Sequence, residues 1–242
     1  MSWKLELGQY NARIDRIAFD ARQFESLANR LPALPLQHAL SLKGTVALNL
    51  SLFSLFHCYG MAVHSLRSFR ILWESSAVPC VSLTVRFLFE LWGAAHFTRE
   101  TLDCLNKPGS EEKALGATRR LVLGTRSPVP LPWGGSADEK SFNVMEFVRS
   151  LSSIYPRAEE SYAFLCESCH PSMLQHGYWL MTVPPKDNWS NENFKRTGHE
   201  LIGKTISICE EAVHGIGLEV NSVLTNALAV IEPELANGPE NS

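Results

Sequence analysis

The chain has 242 residues, of which 45% are hydrophobic, so it can bury a sizeable core without disulfides or structural metals. Its 22 basic and 25 acidic side chains leave a formal charge of -3. No global positive field therefore draws the protein towards nucleic acid or an anionic membrane, and net charge gives a nucleic-acid partner no support.

The amino-terminal sequence passes from Met1 directly into mixed polar residues and lacks the apolar stretch of a secretory signal. We therefore expect a cytoplasmic protein whose six cysteines are free thiols packed as small hydrophobic groups. Segment 44–66 contains no Asp, Glu, Lys or Arg, but Asn49, His57 and His64 interrupt it. This pattern favours the central helix of a bundle over a membrane span, and we expect no membrane partner.

Apolar residues recur at helical spacing along most of the chain, whereas the alternation typical of strands is hard to find. The sequence therefore predicts an all-α fold, a single-domain helical bundle of about six to eight helices over residues 1–231. The predicted helices are 10–29, 36–73 with a break near Gly44 or Gly60, 80–105, 111–123, 142–154, 157–169 and 199–231. Prolines, glycines and polar residues predict loops at 125–140 and 184–198, and a disordered tail at 232–242.

The last predicted helix carries apolar residues at alternating steps of four and three, which is the 3.5-residue spacing of a helix seam. Such a seam must pack lengthwise on another helix. The preferred partner is a helix of the same chain, and the alternative is a second copy, which would make the protein a homo-oligomer. The seam consists of Ile202, Ile206, Cys209, Val213, Ile216, Val220, Val223, Ala227 and Val230.

The segment from Cys166 to His170 has the C-x-x-C-H spacing of c-type haem attachment. Both thiols would lie in the last turn of a helix that stops at Pro171, where the helix dipole disfavours thiolate, and the chain shows no export signal. Zinc is a second alternative, with an unusual ligand spacing, through Cys166, Cys169, His170 and His176. We interpret the thiols as packed apolar groups and expect no cofactor.

Predicted helix 80–105 is apolar nearly all round, and its first nineteen residues, 80–98, carry only two charges, Arg86 and Glu90. Their i,i+4 spacing places them on one face, where each neutralises part of the other's desolvation cost. An antiparallel hairpin with the preceding helix would bring histidines alongside them. The resulting prediction is a buried polar cluster, either a structural network or a catalytic site, of His57, His64, Arg86, Glu90 and His96.

The Arg86-x-x-x-Glu90 helix, Tyr162 and the triplet His170-Pro171-Ser172 resemble the R-x-x-x-E helix and His-Pro-Ser motif of uncharacterised bacterial helical proteins, some loosely grouped with the HEPN superfamily. The resemblance covers residues 45–172. It implies an all-α bundle that can dimerise, with no established activity. HEPN ribonucleases carry an Arg and a His separated by four to six residues. Here no Arg precedes a histidine at that spacing, and Arg196-x-x-His199 is too short.

Three functions follow from these patterns, and a non-enzymatic or regulatory oligomer is the preferred one. The first alternative is a HEPN-like nuclease or other hydrolase, in which Arg86 binds an anion and Glu90 orients His64 or His170 as the general base. The second alternative is a metal- or haem-binding protein built on Cys166, Cys169 and His170.

Overall fold

The computed structural model describes residues 3–17, 40–75, 77–125, 128–130, 136–137, 139–169 and 192–236. Almost all of these residues are helical, and a two-residue antiparallel ladder pairs β1 (Val129–Pro130) with β2 (Ser136–Ala137). The protein is therefore an all-α bundle, as the sequence predicts. Its α-helices are α1 (Trp3–Arg16), α2 (Leu42–Leu52), α3 (Gly60–Glu74), α4 (Val78–Cys104), α5 (Glu111–Leu123), α6 (Val144–Leu151), α7 (Ala158–Cys169) and α8 (Glu192–Ala236).

A π-helical segment, Phe53–Tyr59, joins α2 to α3, so that Leu42–Glu74 is one continuous helix. The sequence predicts a break near Gly44 or Gly60. The structure has none at Gly60, whereas near Gly44 the helix begins at Leu42, after the non-helical Leu40 and Ser41. The backbone widens for seven residues immediately before Gly60. A π segment adds residues to a turn without ending the helix, so it changes the direction in which the following side chains point.

The helix ends that position the core are set by local hydrogen bonds. The hydroxyl of Ser41 accepts from the Gly44 N–H at the start of α2. At the start of α6, the Asn143 side chain accepts a backbone N–H, and the Glu146 carboxylate accepts the Asn143 N–H. This is a capping box, and it fixes where the chain re-enters the bundle after the loop that contains β1 and β2.

Helix α4 is the centre of the bundle, because α3, α6, α7 and α8 all pack against it. The larger hydrophobic core lies along these contacts and contains Phe69, Phe89 and Ile216. A smaller core lies where α2 and α5 meet the end of α8, around Leu48 and Ala227. Since every long helix contributes to one of these two cores, the helices hold each other in place and the polar side chains of α4 are positioned rigidly.

The seam of α8 is buried inside the chain, where the helix packs against α4 and α2. Apart from the partly exposed Val230, each of its nine residues is buried. The preferred interpretation, a seam within the chain, accounts for this burial. A homo-oligomer through the same seam would have no free apolar stripe to use, so any oligomer needs another surface.

Helix α8 is longer at both ends than the predicted helix 199–231. It begins at Glu192, inside the predicted loop 184–198, because Gly198 is buried within the helix and does not end it. It continues to Ala236, five residues into the predicted tail. There Leu235 packs on the smaller core, and Glu234 accepts hydrogen bonds from the backbone and hydroxyl of Ser41. The rest of the predicted tail lies outside the described residues, as do residues 18–29 of the first predicted helix.

Within the described part of the chain, Leu42–Glu74 is the one helix that is long and apolar enough to cross a membrane, judged by length and composition alone. This is weak evidence, because the core helix of a bundle passes the same test. Here Ala62 and Phe69 are buried where α3 packs on α4, while His57 and His64 are exposed. These are the contacts of a helix in a bundle.

Candidate functional site

The predicted pairing of Arg86 and Glu90 is present on α4. Nε of Arg86 donates to Oε1 of Glu90 over 3.0 Å, as the i,i+4 spacing indicates. The two side chains are 31% and 25% exposed, so the pair lies at the edge of the core and not inside it. Partial exposure leaves water to screen the charges, which lowers the cost of keeping both of them.

Tyr162 of α7 closes this pair into a triangle of hydrogen bonds. Its hydroxyl donates to Oε1 of Glu90 over 2.8 Å and accepts from Nη2 of Arg86 over 3.0 Å. The guanidinium also lies 5.3 Å from the centre of the Tyr162 ring, within cation–π range. Burial and the hydrogen bond to Glu90 raise the pKa of Tyr162, so its hydroxyl stays protonated at neutral pH. We call these three residues the Arg86 cluster.

The two thiols of the C-x-x-C-H segment lie beside the Arg86 cluster, in the last turn of α7 as predicted. Cys166 follows Tyr162 by one turn, and both Cys166 and Cys169 are partly buried free thiols. Burial raises the pKa of Cys169 although the nearby Arg86 opposes the shift. A raised pKa keeps a thiol protonated and unreactive, which agrees with the interpretation of these cysteines as packed apolar groups.

The histidines expected beside Arg86 and Glu90 are not there. His57 and His64 are exposed, so the prediction that they join a buried cluster is wrong. The face that α3 turns to the core carries Ala62, Ser65, Phe69 and Trp73. Counting equal steps from the hairpin turn gives a height along the helix, but it does not give the face on which His64 lies. His170 lies outside the described residues, so its predicted position near the Arg86 cluster stays a prediction.

His96 belongs to a second polar cluster, nearer the other end of α4. It is completely buried, and its Nδ1 lies 3.0 Å from Oε1 of Glu219 on α8. Nε of Arg99 donates to the other oxygen of that carboxylate over 2.6 Å. Burial alone would raise the pKa of Glu219, but the hydrogen bonds from His96 and Arg99 outweigh it, and the pKa lies below its usual value. The carboxylate is therefore ionised inside the bundle.

Two further groups contact the second cluster on the opposite side of the imidazole. The hydroxyl of Ser153, in the turn after α6, lies 3.0 Å from Nε2 of His96, and a carboxylate oxygen of Glu100 lies 3.6 Å from the same nitrogen. We call His96, Arg99, Glu100, Ser153 and Glu219 the His96 cluster. It joins α4, α8 and the turn after α6, three parts of the chain that are distant in sequence.

Sequence reasoning missed Glu219, although the chain carries a signal for it. Glu219 is the only Asp, Glu, Lys or Arg between Glu211 and Glu232, and it follows Ile216 by three residues on the buried side of the seam. A single charge on the apolar stripe of a long helix requires a buried partner. The same argument that selected Arg86 and Glu90 would have selected this carboxylate.

Among the described residues, no three His, Cys, Asp or Glu side chains are arranged so that they could hold a metal ion. Cys166 and Cys169 are among these residues. The two remaining zinc candidates, His170 and His176, lie outside them, as does the histidine that would ligate a haem iron. The chemistry that the described residues offer is therefore acid–base and hydrogen-bonding chemistry at the Arg86 and His96 clusters.

Comparison with known proteins gives no relative from which a function could be transferred. No family model matches the chain, and neither a curated protein nor a solved structure matches it.

Proposed function

We propose that this protein is a non-enzymatic or regulatory helical bundle that acts by binding, as an oligomer, and that its Arg86 cluster holds α4 to α7 instead of catalysing a reaction. One observation supports this most directly. Oε1 of Glu90 accepts hydrogen bonds from both Arg86 and Tyr162, while Tyr162 also accepts from Arg86. Groups that already satisfy one another this closely gain little from a substrate.

The oligomer would use the outer face of α3 and the π segment, since the seam of α8 is buried. Phe56 and Ile71 are 71% and 65% exposed, and Met61 and His64 are exposed on the same stretch of helix. Large apolar side chains that recur along one exposed helix are typical of surfaces that bind another protein. We propose a second copy of the chain as the partner, which agrees with the dimers that the HEPN-like resemblance implies.

A direct test measures molecular mass in solution. Light scattering on a sizing column should give an oligomer at high protein concentration. The double variant Phe56→Ser and Ile71→Ser should shift it towards the monomer with little change in melting temperature. Leu218→Ser is a matched control, because Leu218 is 59% exposed on another helix. A strictly monomeric protein at every concentration would contradict the oligomer.

A hydrolase that uses Arg86, Glu90 and His170 is the alternative, and the partial exposure of Arg86 favours it, because a guanidinium near the surface can reach an anion. Arg86→Ala, Glu90→Ala and His170→Ala separate the two proposals in a screen for nuclease and phosphatase activity. In a binding protein, the first two variants lower the melting temperature, and no activity is lost because none is found. In an enzyme, His170→Ala abolishes the activity while the protein stays folded.

A further inference from the structure

Ser153, His96 and Glu219 form one continuous chain of hydrogen-bonding groups, although they come from three separate parts of the sequence. Oγ of Ser153 lies 3.0 Å from Nε2 of His96, and Nδ1 of the same ring lies 3.0 Å from Oε1 of Glu219. A hydroxyl, an imidazole and a carboxylate in this order are the parts of an activated nucleophile: the attacking atom, its base and the group that orients the base.

The carboxylate determines where the imidazole proton lies. Nδ1 of His96 faces both Oε1 of Glu219 at 3.0 Å and Nη2 of Arg99 at 3.3 Å. Ionised Glu219 can only accept a hydrogen bond and is the nearer group, so we assign to Nδ1 a proton that is donated to Glu219. In the neutral ring, Nε2 then has a free lone pair, and the hydroxyl of Ser153 donates to it. This is the tautomer that a general base for a serine requires.

Two charged neighbours support the same arrangement. Arg99 holds the outer oxygen of Glu219, which keeps the inner oxygen turned towards His96. Glu100, 3.6 Å from Nε2, favours the positive charge that would form on the ring when it takes the hydroxyl proton. The carboxylates of Glu219 and Glu100 favour the positive charge on the ring, whereas the guanidinium of Arg99, with Nη2 3.3 Å from Nδ1, opposes it.

In this chain of groups, the serine is exposed and the other two side chains are buried, which is the arrangement that a nucleophile requires. His96 is 0% exposed and Glu219 is nearly buried, whereas Ser153 lies at the surface in the turn after α6. A reagent in solution can reach the serine oxygen, while the base and the carboxylate stay away from water, where their hydrogen bonds are stronger.

We propose that Ser153 is a nucleophile that accepts acyl groups from small activated esters, with His96 as its general base and Glu219 as a positioning residue. In the acylation step, Oγ forms a bond to the ester carbonyl carbon, its proton moves to Nε2 of His96, and the alcohol leaves with that proton. Water then adds to the acyl group, releases the carboxylic acid and returns the proton to Oγ. The site is separate from the Arg86 cluster. Ester hydrolysis here would add an activity to the binding role proposed above, so the protein would then be an enzyme as well as a binding protein.

Ester hydrolysis at Ser153 is expected to be slow, for a structural reason. The backbone N–H groups of Ser153 and Ile154 donate to the carbonyls of Ser150 and Leu151, so they are not available to stabilise an oxyanion. Loss of a single oxyanion donor lowers turnover by about 100- to 1,000-fold in serine hydrolases. A covalent label on the serine is therefore a more sensitive measure than steady-state hydrolysis.

The experiment treats the full-length protein with a fluorophosphonate probe and identifies the modified peptide by mass spectrometry. Oγ displaces fluoride from phosphorus, and His96 takes up the hydroxyl proton and releases it to solvent. We expect the label on Ser153 and its loss in Ser153→Ala. Ser152→Ala is the matched control, since Ser152 is the neighbouring residue and its hydroxyl donates to the Val148 carbonyl. This control should label like the unaltered protein.

Dependence on the base separates a nucleophile from a structural network. His96→Gln should slow labelling by about 100-fold or more, which is the usual contribution of a general base. If this buried substitution unfolds the protein, the unaltered protein gives a second test, because labelling of Ser153 should be lost in denaturant, where the serine is separated from His96. The proposal is overturned if Ser153 is not labelled, or if its labelling is unaffected by His96→Gln or is no faster in the native protein than in denaturant.

Discussion

Tyr162 donates its hydroxyl proton to Glu90 over 2.8 Å, although 72 residues separate them along the chain. The hydrogen bond ties α7 to α4, and Arg86 strengthens it by contacting both partners. A contact between distant segments restricts the bundle more than a contact within one helix, because it closes a long loop of chain.

Tyr162→Phe should lower the free energy of unfolding by about 1–2 kcal/mol, because it removes two hydrogen bonds and leaves Glu90 and Arg86 each short of a partner. Chemical denaturation measures this change. Arg70→Ala, which removes the ion pairs of Arg70 with Glu74 and Asp15 between side chains that are about two-thirds exposed, should cost less than about 1 kcal/mol. Equal losses in the two variants would show that the Arg86 cluster contributes no more than a surface ion pair.

Glu219 should make the fold sensitive to acid. Its pKa in the folded protein lies below the usual value of 4.5, so its contribution is complete above that pH and is lost as the pH falls through the lower folded value. Glu219→Gln should reduce stability at neutral pH by roughly 3 kcal/mol, because it removes one partner of a buried ionic cluster. In the same variant, stability should also fall less steeply as the pH drops below 4.5.

Denaturation curves at several pH values provide the measurement for Glu219. The control is Glu160→Gln, since the pKa of Glu160 is also lowered, by Arg157 and Lys204, but this carboxylate lies at the surface. Because solvent screens the charges around Glu160, the control variant should change the acid slope much less than Glu219→Gln does. If stability falls with pH equally steeply in Glu219→Gln and in the unaltered protein, Glu219 is not the source of the acid sensitivity.

Gly215 marks a point where α8 and α4 approach too closely for a side chain. A Cβ at Gly215 would overlap the indole of Trp92, whereas a Cβ at Gly203, three turns earlier on α8, would have only an ordinary contact with Tyr10. Gly215→Ala should therefore destabilise the protein by about 1–3 kcal/mol through overpacking. Gly203→Ala should be neutral or stabilise by up to about 1 kcal/mol through helix propensity. The melting temperature should fall clearly in Gly215→Ala, and it should stay the same or rise in Gly203→Ala.

The six free thiols should differ in reactivity according to burial. Cys80 is exposed, whereas Cys58 and Cys209 are buried among apolar side chains, and burial raises the pKa of both thiols. In the native protein, a thiol reagent such as dithionitrobenzoate should modify Cys80 first and leave Cys58 and Cys209 unmodified until the protein unfolds. Peptide mapping after brief exposure identifies the order. Early modification of Cys209 would contradict the packing of α8.

The sequence predicts helices well where an apolar pattern is long and regular. Helix α4 is predicted at 80–105 and runs over Val78–Cys104, and its i,i+4 pair Arg86 and Glu90 forms the expected hydrogen bond. Both facts depend on spacing within one helix. Contacts between helices depend instead on rotation about the helix axis, and a pattern in one helix does not give the rotation of its neighbour.

His64 and Glu219 show the two ways in which this limit affects the site. Height along the hairpin alone predicts that the histidine lies beside Glu90, but it is exposed because α3 turns a different face to the core. The carboxylate meets His96 across 123 residues, a pairing that no local spacing specifies. For Glu219 the burial could be inferred from its place on the seam but its partner could not, whereas for His64 the predicted burial is itself wrong.

The π segment Phe53–Tyr59 has a consequence for which changes in length the protein can tolerate. It sets the rotation of α3 about the helix axis relative to α2. Helix α2 packs on α8 and α5, and α3 packs on α4. Removing one residue from this segment would let its wide turns tighten to α-helical ones, and the tightening would absorb the deletion, so that Phe69 and Trp73 still faced α4 while Leu48 kept its place. Removing one residue from α2 or α3, which have no wide turn to tighten, would instead rotate one half of the helix by about 100° relative to the other. The π segment is therefore the part of Leu42–Glu74 in which a one-residue deletion would not exchange the core and surface faces of half a helix.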